Sequence, residues 1–101
     1  MTMLHIVNKS PLERNSLQSC LRIAAPGGAV LLIEDAVYAA TRDTAASAQI
    51  AGALDRFKFY ALLPDLEARA VADRVIDGVT AVDYAGFVDL VAESRACQSW
   101  L

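Results

Sequence analysis

The thiol of Cys20 is the strongest nucleophile that this sequence places in a definable setting. The thiolate of a cysteine, rather than its thiol, is the nucleophile, and its reactivity depends on what surrounds it. The surrounding residues are apolar. At 100° per residue, Cys20 shares one helical arc with Leu17, Leu21, Ile23 and Ala24, where a free cysteine commonly behaves as a small buried hydrophobe. It lies about nine residues into the expected helix, past the first turn where the helix dipole lowers a thiol pKa, and its i−4 and i−3 neighbours are Ser16 and Leu17. Local sequence supplies no activating charge, so a reactive Cys20 requires tertiary contacts or a partner subunit to complete its environment.

The other candidate groups read more simply. Cys97 lies in the closing segment Ala96-Cys97-Gln98-Ser99-Trp100-Leu101, which is expected to be anchored on its own domain or on a neighbour, because Trp100 and Leu101 would otherwise sit in water. A redox pairing of Cys97 with Cys20 would need their sulfurs at bridging distance. His5 is the single histidine and falls within a strand, which excludes a metal site built on several imidazoles of one chain and favours a structural role. Glu34 and Asp35 follow the second strand, at the edge where α/β domains place ligands. On extended backbone adjacent carboxylates point to opposite faces, so without a turn they form no acid/base pair, and loop hydrogen bonding is the simpler role. Gly27-Gly28 lies between a helix and a strand, the wrong order for a phosphate-cradling loop, and no G-x-G-x-x-G or G-x-x-x-x-G-K-[ST] occurs. No resident cofactor or metal is expected.

Positioning these groups falls to an alternating series of strands and helices. Residues 4–8 form an apolar extended run, after which Ser10-Pro11-Leu12-Glu13 reads as a capping box that starts a helix at Pro11 and runs it to about Ala25. Pro26-Gly27-Gly28 turns the chain into Ala29-Val30-Leu31-Leu32-Ile33, a continuous apolar run suited to a central strand covered on both faces. An Ala-rich helix is expected over 41–54, capped by Thr41 or Asp43, then a strand over 56–63 and a short helix from Pro64-Asp65 to about Val71. A fourth strand over 79–82 and a helix capped by Asp83 and running to about Glu93 complete the series. The order β-α-β-α-β-α-β-α describes one α/β domain over 1–101 with a mostly parallel sheet and right-handed crossovers.

Composition sets the outer bounds. Hydrophobic residues make up 55% of the 101 residues and mean hydropathy is +0.36, yet no run approaches the about 18 apolar residues of a membrane span. A domain of this size buries only about two-thirds of its unfolded surface, so surplus apolar surface is expected in a subunit interface. A net charge of −3 without a Lys/Arg cluster gives no footprint for a nucleic-acid backbone. Two cysteines are too few for a disulfide framework, and no targeting pattern precedes the first strand, so the expected location is cytoplasmic with both thiols reduced.

Taken together, residues 4–11 (LHIVNKSP), 31–40 (LLIEDAVYAA), 60–62 with 65–69 (YAL, DLEAR), 82–90 (VDYAGFVDL) and 98–100 (QSW) resemble the DsrH/TusB family over nearly the whole chain. The resemblance implies a small Rossmann-like, three-layer domain with a mostly parallel four- to five-stranded sheet. It also implies a subunit of a heterohexamer, two copies each of three related chains, in which the partners are DsrE/TusD-like and DsrF/TusC-like. Such complexes pass persulfide sulfur to a DsrC/TusE-like acceptor, in dissimilatory sulfur oxidation in one branch and toward tRNA 2-thiouridine in the other. Their principal reactive cysteine belongs to the DsrE/TusD-like chain. Cys20 matches a cysteine that DsrH-type members carry in the first helix and many TusB-type members lack, which favours the oxidation branch. Ala36 departs from the Asp-Gly of many relatives. On this reading Cys20 attacks a donor persulfide and relays the sulfur; the rival is a non-catalytic subunit for assembly and docking.

Overall fold

The computed structural model describes residues 3–100. Five strands, β1 (Met3–Val7), β2 (Ala29–Leu32), β3 (Lys58–Leu62), β4 (Val79–Val82) and β5 (Ala96–Trp100), lie in the order β4-β3-β2-β1-β5. Every neighbouring pair is parallel. The helices are α1 (Ser16–Ile23), α2 (Ala45–Ala51), α3 (Leu63–Ala68) and α4 (Tyr84–Glu93), with 3-10 turns at Glu34–Ala40 and Ala72–Arg74.

Strand periodicity divides the core into two layers. Val7, Val30, Leu32, Phe59 and Ala61 point to the face covered by Leu17, Cys20 and Leu21 of α1, Ile50 of α2 and Leu66 of α3. Leu4, Ala29 and Leu31 point the other way, onto Leu90 of α4 with Phe87 half-buried beside it. All four residues of β2 are buried, as its unbroken apolar run requires of a central strand covered on both faces. The expected three-layer α/β architecture with a parallel sheet is therefore present.

The closing segment, expected only as an anchored tail, is a strand over Ala96–Trp100 that pairs with β1 in the register Leu4↔Cys97 to Val7↔Trp100. Leu101, which shared that expectation, and residues 1–2 of the expected domain lie outside the described residues. The chain reaches this edge by crossing back from β4 at the opposite side of the sheet, and α4 is the crossover.

Several boundaries differ from the sequence expectation. Helix α1 begins at Ser16 rather than Pro11. Ser10 instead closes a turn: its Oγ accepts the Leu12 N–H at 3.2 Å and its carbonyl accepts the N–H groups of Glu13 and Arg14. An earlier start would place Glu13 on the stripe of Ser16, Leu17 and Cys20 and drive a carboxylate into the core, whereas the turn leaves it in solvent. The helix expected over 41–54 is α2 alone. Asp43 adopts φ +66, a left-handed conformation that breaks helix. The cap is Thr44, whose side chain and that of Ser47 satisfy each other's backbone N–H groups at 3.0 and 3.2 Å. Thr41 closes the preceding 3-10 turn, donating its N–H to the Tyr38 carbonyl. Strand β3 is trimmed at both ends because Arg56 and Phe57 bond back to the Ala53 carbonyl and Leu63 opens α3. That helix ends at Ala68, and Ala70 at φ +57 turns the chain before the expected end at Val71. By contrast, β4 spans the expected residues, and Asp83 caps α4 by accepting the Gly86 N–H at 2.8 Å.

Candidate functional site

Cys20 is the fifth residue of α1, on the side that faces the sheet, and its relative exposure is 0%. It packs in the layer of Val7, Leu17, Leu21 and Val30, with Trp100 half-buried against the same cluster. Burial pushes its thiol pKa up to about 11, because the thiolate would lose water without gaining a compensating charge. At neutral pH the resting thiolate fraction is then about 10⁻⁴. Of the apolar arc read from sequence, Leu17 and Leu21 are buried with Cys20, while Ile23 turns outward into solvent.

Cys97 lies on the opposite side of the sheet. It pairs with Leu4, whose side chain faces α4, whereas Cys20 lies under α1. The sheet therefore separates the two sulfurs, and both are free thiols, one buried and one exposed. A Cys20–Cys97 redox pair has no route in this arrangement.

His5 is buried and has acquired a partner that its neighbours in sequence do not provide. The indole Nε1–H of Trp100 donates to His5 Nδ1 at 3.1 Å, which leaves the ring proton of neutral imidazole on Nε2. Trp100 also stacks at a tilt against the imidazole, with centroids 6.0 Å apart, and Phe57 meets it edge-on at 6.2 Å. Burial lowers the His5 pKa from its usual 6.5. This contact ties β5 to β1 by side chains as well as by the ladder. Gly28 lies against the same ring: a Cβ there would stand 3.5 Å from His5 Cδ2 and 2.8 Å from the Met3 carbonyl oxygen.

At the carboxyl ends of β2 and β3, Glu34 and Asp35 belong to a structural knot. Glu34 takes φ +51, uncommon for a residue with a side chain, and its N–H donates to Asp65 Oδ2 at 2.7 Å. Arg69 donates through Nε and Nη2 to Asp35 Oδ1, each at 2.9 Å, and through Nη1 to the Asp65 carbonyl at 3.2 Å. The left-handed residue turns the chain after β2 into the 3-10 segment Glu34–Ala40. Among the described residues no group of His, Cys, Asp and Glu could hold a metal ion.

Two surface features were not singled out from sequence. Tyr84, Val88 and Val91 of α4 are 60%, 66% and 40% exposed, and their i, i+4, i+7 spacing makes one apolar stripe alongside the packed Phe87 and Leu90. The seven-residue spacing is present in the sequence, but spacing alone does not say which apolar residues of α4 meet the sheet. Among the described residues the outer edge of β5 has no strand partner, and its residues are largely exposed. The second feature is a cleft between the segments that follow β1, β2 and β3, lined in part by Arg14, Thr41 and Arg74.

Comparison with known proteins agrees with this geometry. A family model described as DsrH like protein matches residues 9–97. The chain is 34% identical over 99 residues to Protein TusB of Serratia proteamaculans, covering 97% of this chain and 100% of that protein. It is 31% identical over 98 residues to Protein TusB of Escherichia coli O81, with the same coverage. Among solved structures, the ychN protein from E. coli superposes with a TM-score of 0.84 at 17% identity, over 98% of each chain, and shows the same fold. MTH1491 from Methanobacterium thermoautotrophicum, a protein of unknown function, superposes with a TM-score of 0.64 at 17% identity, over 94% of this chain. With a family model spanning most of its length and full-length relatives above 30% identity, the chain belongs to the DsrH/TusB family.

Proposed function

We propose that this chain is an assembly and docking subunit of a sulfur-relay complex, working beside TusC/DsrF-like and TusD/DsrE-like chains in a two-two-two heterohexamer and presenting the complex to a TusE/DsrC-like acceptor thiol. The observation that carries this reading is the apolar stripe Tyr84, Val88 and Val91 on the exposed side of α4. Three large apolar side chains held in water on one helix face mark an interaction surface. Family membership supplies the kind of partner.

Cys20 as a persulfide carrier is the second reading, favoured by its match to the cysteine of DsrH-type relatives. The chemistry is a thiolate attack on the outer sulfur of a donor persulfide: an S–S bond forms at Cys20 and the donor leaves as a thiolate. It requires α1 to lift from the sheet, because the resting thiol is fully covered and protonated. The same cysteine supports placement in sulfur oxidation, whereas the TusB names of the curated relatives support tRNA thiolation. A cytoplasmic location accords with either branch.

The test is a Val88→Glu substitution in the complex produced together with its partner chains. At 66% exposure the new carboxylate stays hydrated in the isolated chain, whereas an apolar interface would have to desolvate it at several kcal/mol. Loss of co-purification with an unchanged thermal midpoint of the isolated chain supports the docking role. Normal assembly refutes it.

A further inference from the structure

We propose that the cleft between the segments that follow β1, β2 and β3 binds a small organic anion, a site independent of the sulfur-relay reading. The cleft has a volume of about 450 Å³, the size that a compact ligand fills. Its walls include Leu12, Tyr38 and Val71, of which Leu12 is 95% exposed. The polar groups at this largely apolar cleft are all suited to a negative head. Arg14 and Arg74 both line it, and neither makes an ion pair or side-chain hydrogen bond among the described residues. Among the described residues no carboxylate lines it, although Glu13, Asp43 and Asp73 are neighbours in sequence and the chain is acidic overall.

Thr41 supplies a second, independent observation. It is 95% buried by its 5% exposure, it forms part of the cleft wall, and its Oγ1 has no hydrogen-bond partner. Native folds seldom leave a buried hydroxyl unsatisfied unless something else takes it up. A turn about χ1 to another staggered position moves the hydroxyl from its present site, and a ligand in the cleft would supply the partner that it lacks. Two unpaired guanidinium groups and an unsatisfied hydroxyl around an apolar floor define the ligand as an apolar body of a few carbons bearing a carboxylate or similar oxyanion.

The probe is 4-phenylbutyrate, with the neutral 4-phenylbutyramide as its isosteric control, titrated into the ¹⁵N-labelled full chain and followed by backbone amide shifts. Saturable shifts at Asn15, Gln18, Thr41 and Gln49 are expected with the acid. Binding of the amide should be about tenfold weaker, and Arg14→Gln with Arg74→Gln should weaken acid binding by about the same factor, since each exposed charge pair contributes several-fold. Because both arginines are exposed, circular dichroism should show the double variant folded. Absence of saturable shifts, equal binding of acid and amide, or shifts confined to α4 would overturn the proposal.

Discussion

The burial of Cys20 predicts a large and measurable difference between the two thiols. A reagent such as 5,5′-dithiobis(2-nitrobenzoate) cannot reach a sulfur of 0% exposure, so modification must proceed through opening of α1. Opening takes Leu17, Cys20 and Leu21 out of the core, and at about 1.5–3 kcal/mol per buried apolar side chain the opening free energy is on the order of 5 kcal/mol. That corresponds to an open population near 10⁻⁴ and a protection of about 10³–10⁴ relative to an exposed thiol. Burial acts in the same direction on the closed state, raising the thiol pKa from 9.0 to about 11 and so removing most of the nucleophilic thiolate. Stopped-flow release of thionitrobenzoate should therefore show one fast equivalent from Cys97 and one slow equivalent. The fast phase should vanish in Cys97→Ser, the slow phase in Cys20→Ser, and urea should merge the two. A rate ratio below ten in the wild type, or a fast phase that survives Cys97→Ser, would refute the reasoning.

Other outcomes follow from single contacts. His5 is held neutral when folded, so its contribution is present above its unfolded pKa of 6.5 and lost as pH falls below it, by at most about 1.4 kcal/mol per pH unit. Urea midpoints between pH 7.5 and 5.5 should decline in the wild type and flatten in His5→Gln; parallel profiles would reject the assignment. Trp100→Phe removes the Nε1–H donor and should cost about 1 kcal/mol, with faster amide exchange along β5 than elsewhere in the sheet, and uniform exchange would contradict it. Asp83→Ala should cost about 1 kcal/mol through loss of the Gly86 N–H acceptor, whereas Asp83→Asn should recover most of it. Gly28→Ala forces a Cβ to 2.8 Å from the Met3 carbonyl oxygen and should destabilise by about 1–3 kcal/mol, read as a lowered thermal midpoint.

The elements legible in the sequence were those whose signals are local. The unbroken apolar run of β2, the short strand over 79–82 and the Asp83 cap each state their conformation within a few residues, and each is present in the fold. Capping boxes were less secure. Ser10-x-x-Glu13 has the required residue types, yet the burial pattern of α1 overrides it, because Glu13 would lie on the core stripe. Thr44-x-x-Ser47 forms the reciprocal bonds with a serine in place of the usual acid or amide. Strand β5 escaped notice because Ala96-Cys97-Gln98-Ser99-Trp100 carries little apolar periodicity, as suits an exposed edge strand.

For the candidate site the division is similar. The apolar arc around Cys20 correctly implied a covered thiol, and resemblance over dispersed short motifs led to the family. The Trp100–His5 hydrogen bond spans 95 residues, and the knot of Asp35, Asp65 and Arg69 joins segments more than 30 residues apart. Contacts of that kind are created by the parallel register and leave no trace in spacing. The cleft at Arg14, Thr41 and Arg74 is assembled from three loops, and it too was invisible until the loops were in place.

The most direct test of the docking account is to reconstitute the complex with its partner chains, supply a persulfide donor, and follow the intact mass of every subunit before and after an acceptor thiol is added. The account predicts that this chain never gains the mass of a sulfur atom, and that a Cys20→Ser complex assembles and transfers sulfur at the wild-type rate. A reductant-sensitive sulfur on the wild-type chain, absent in Cys20→Ser and discharged to the acceptor, would contradict it and establish Cys20 as the carrier.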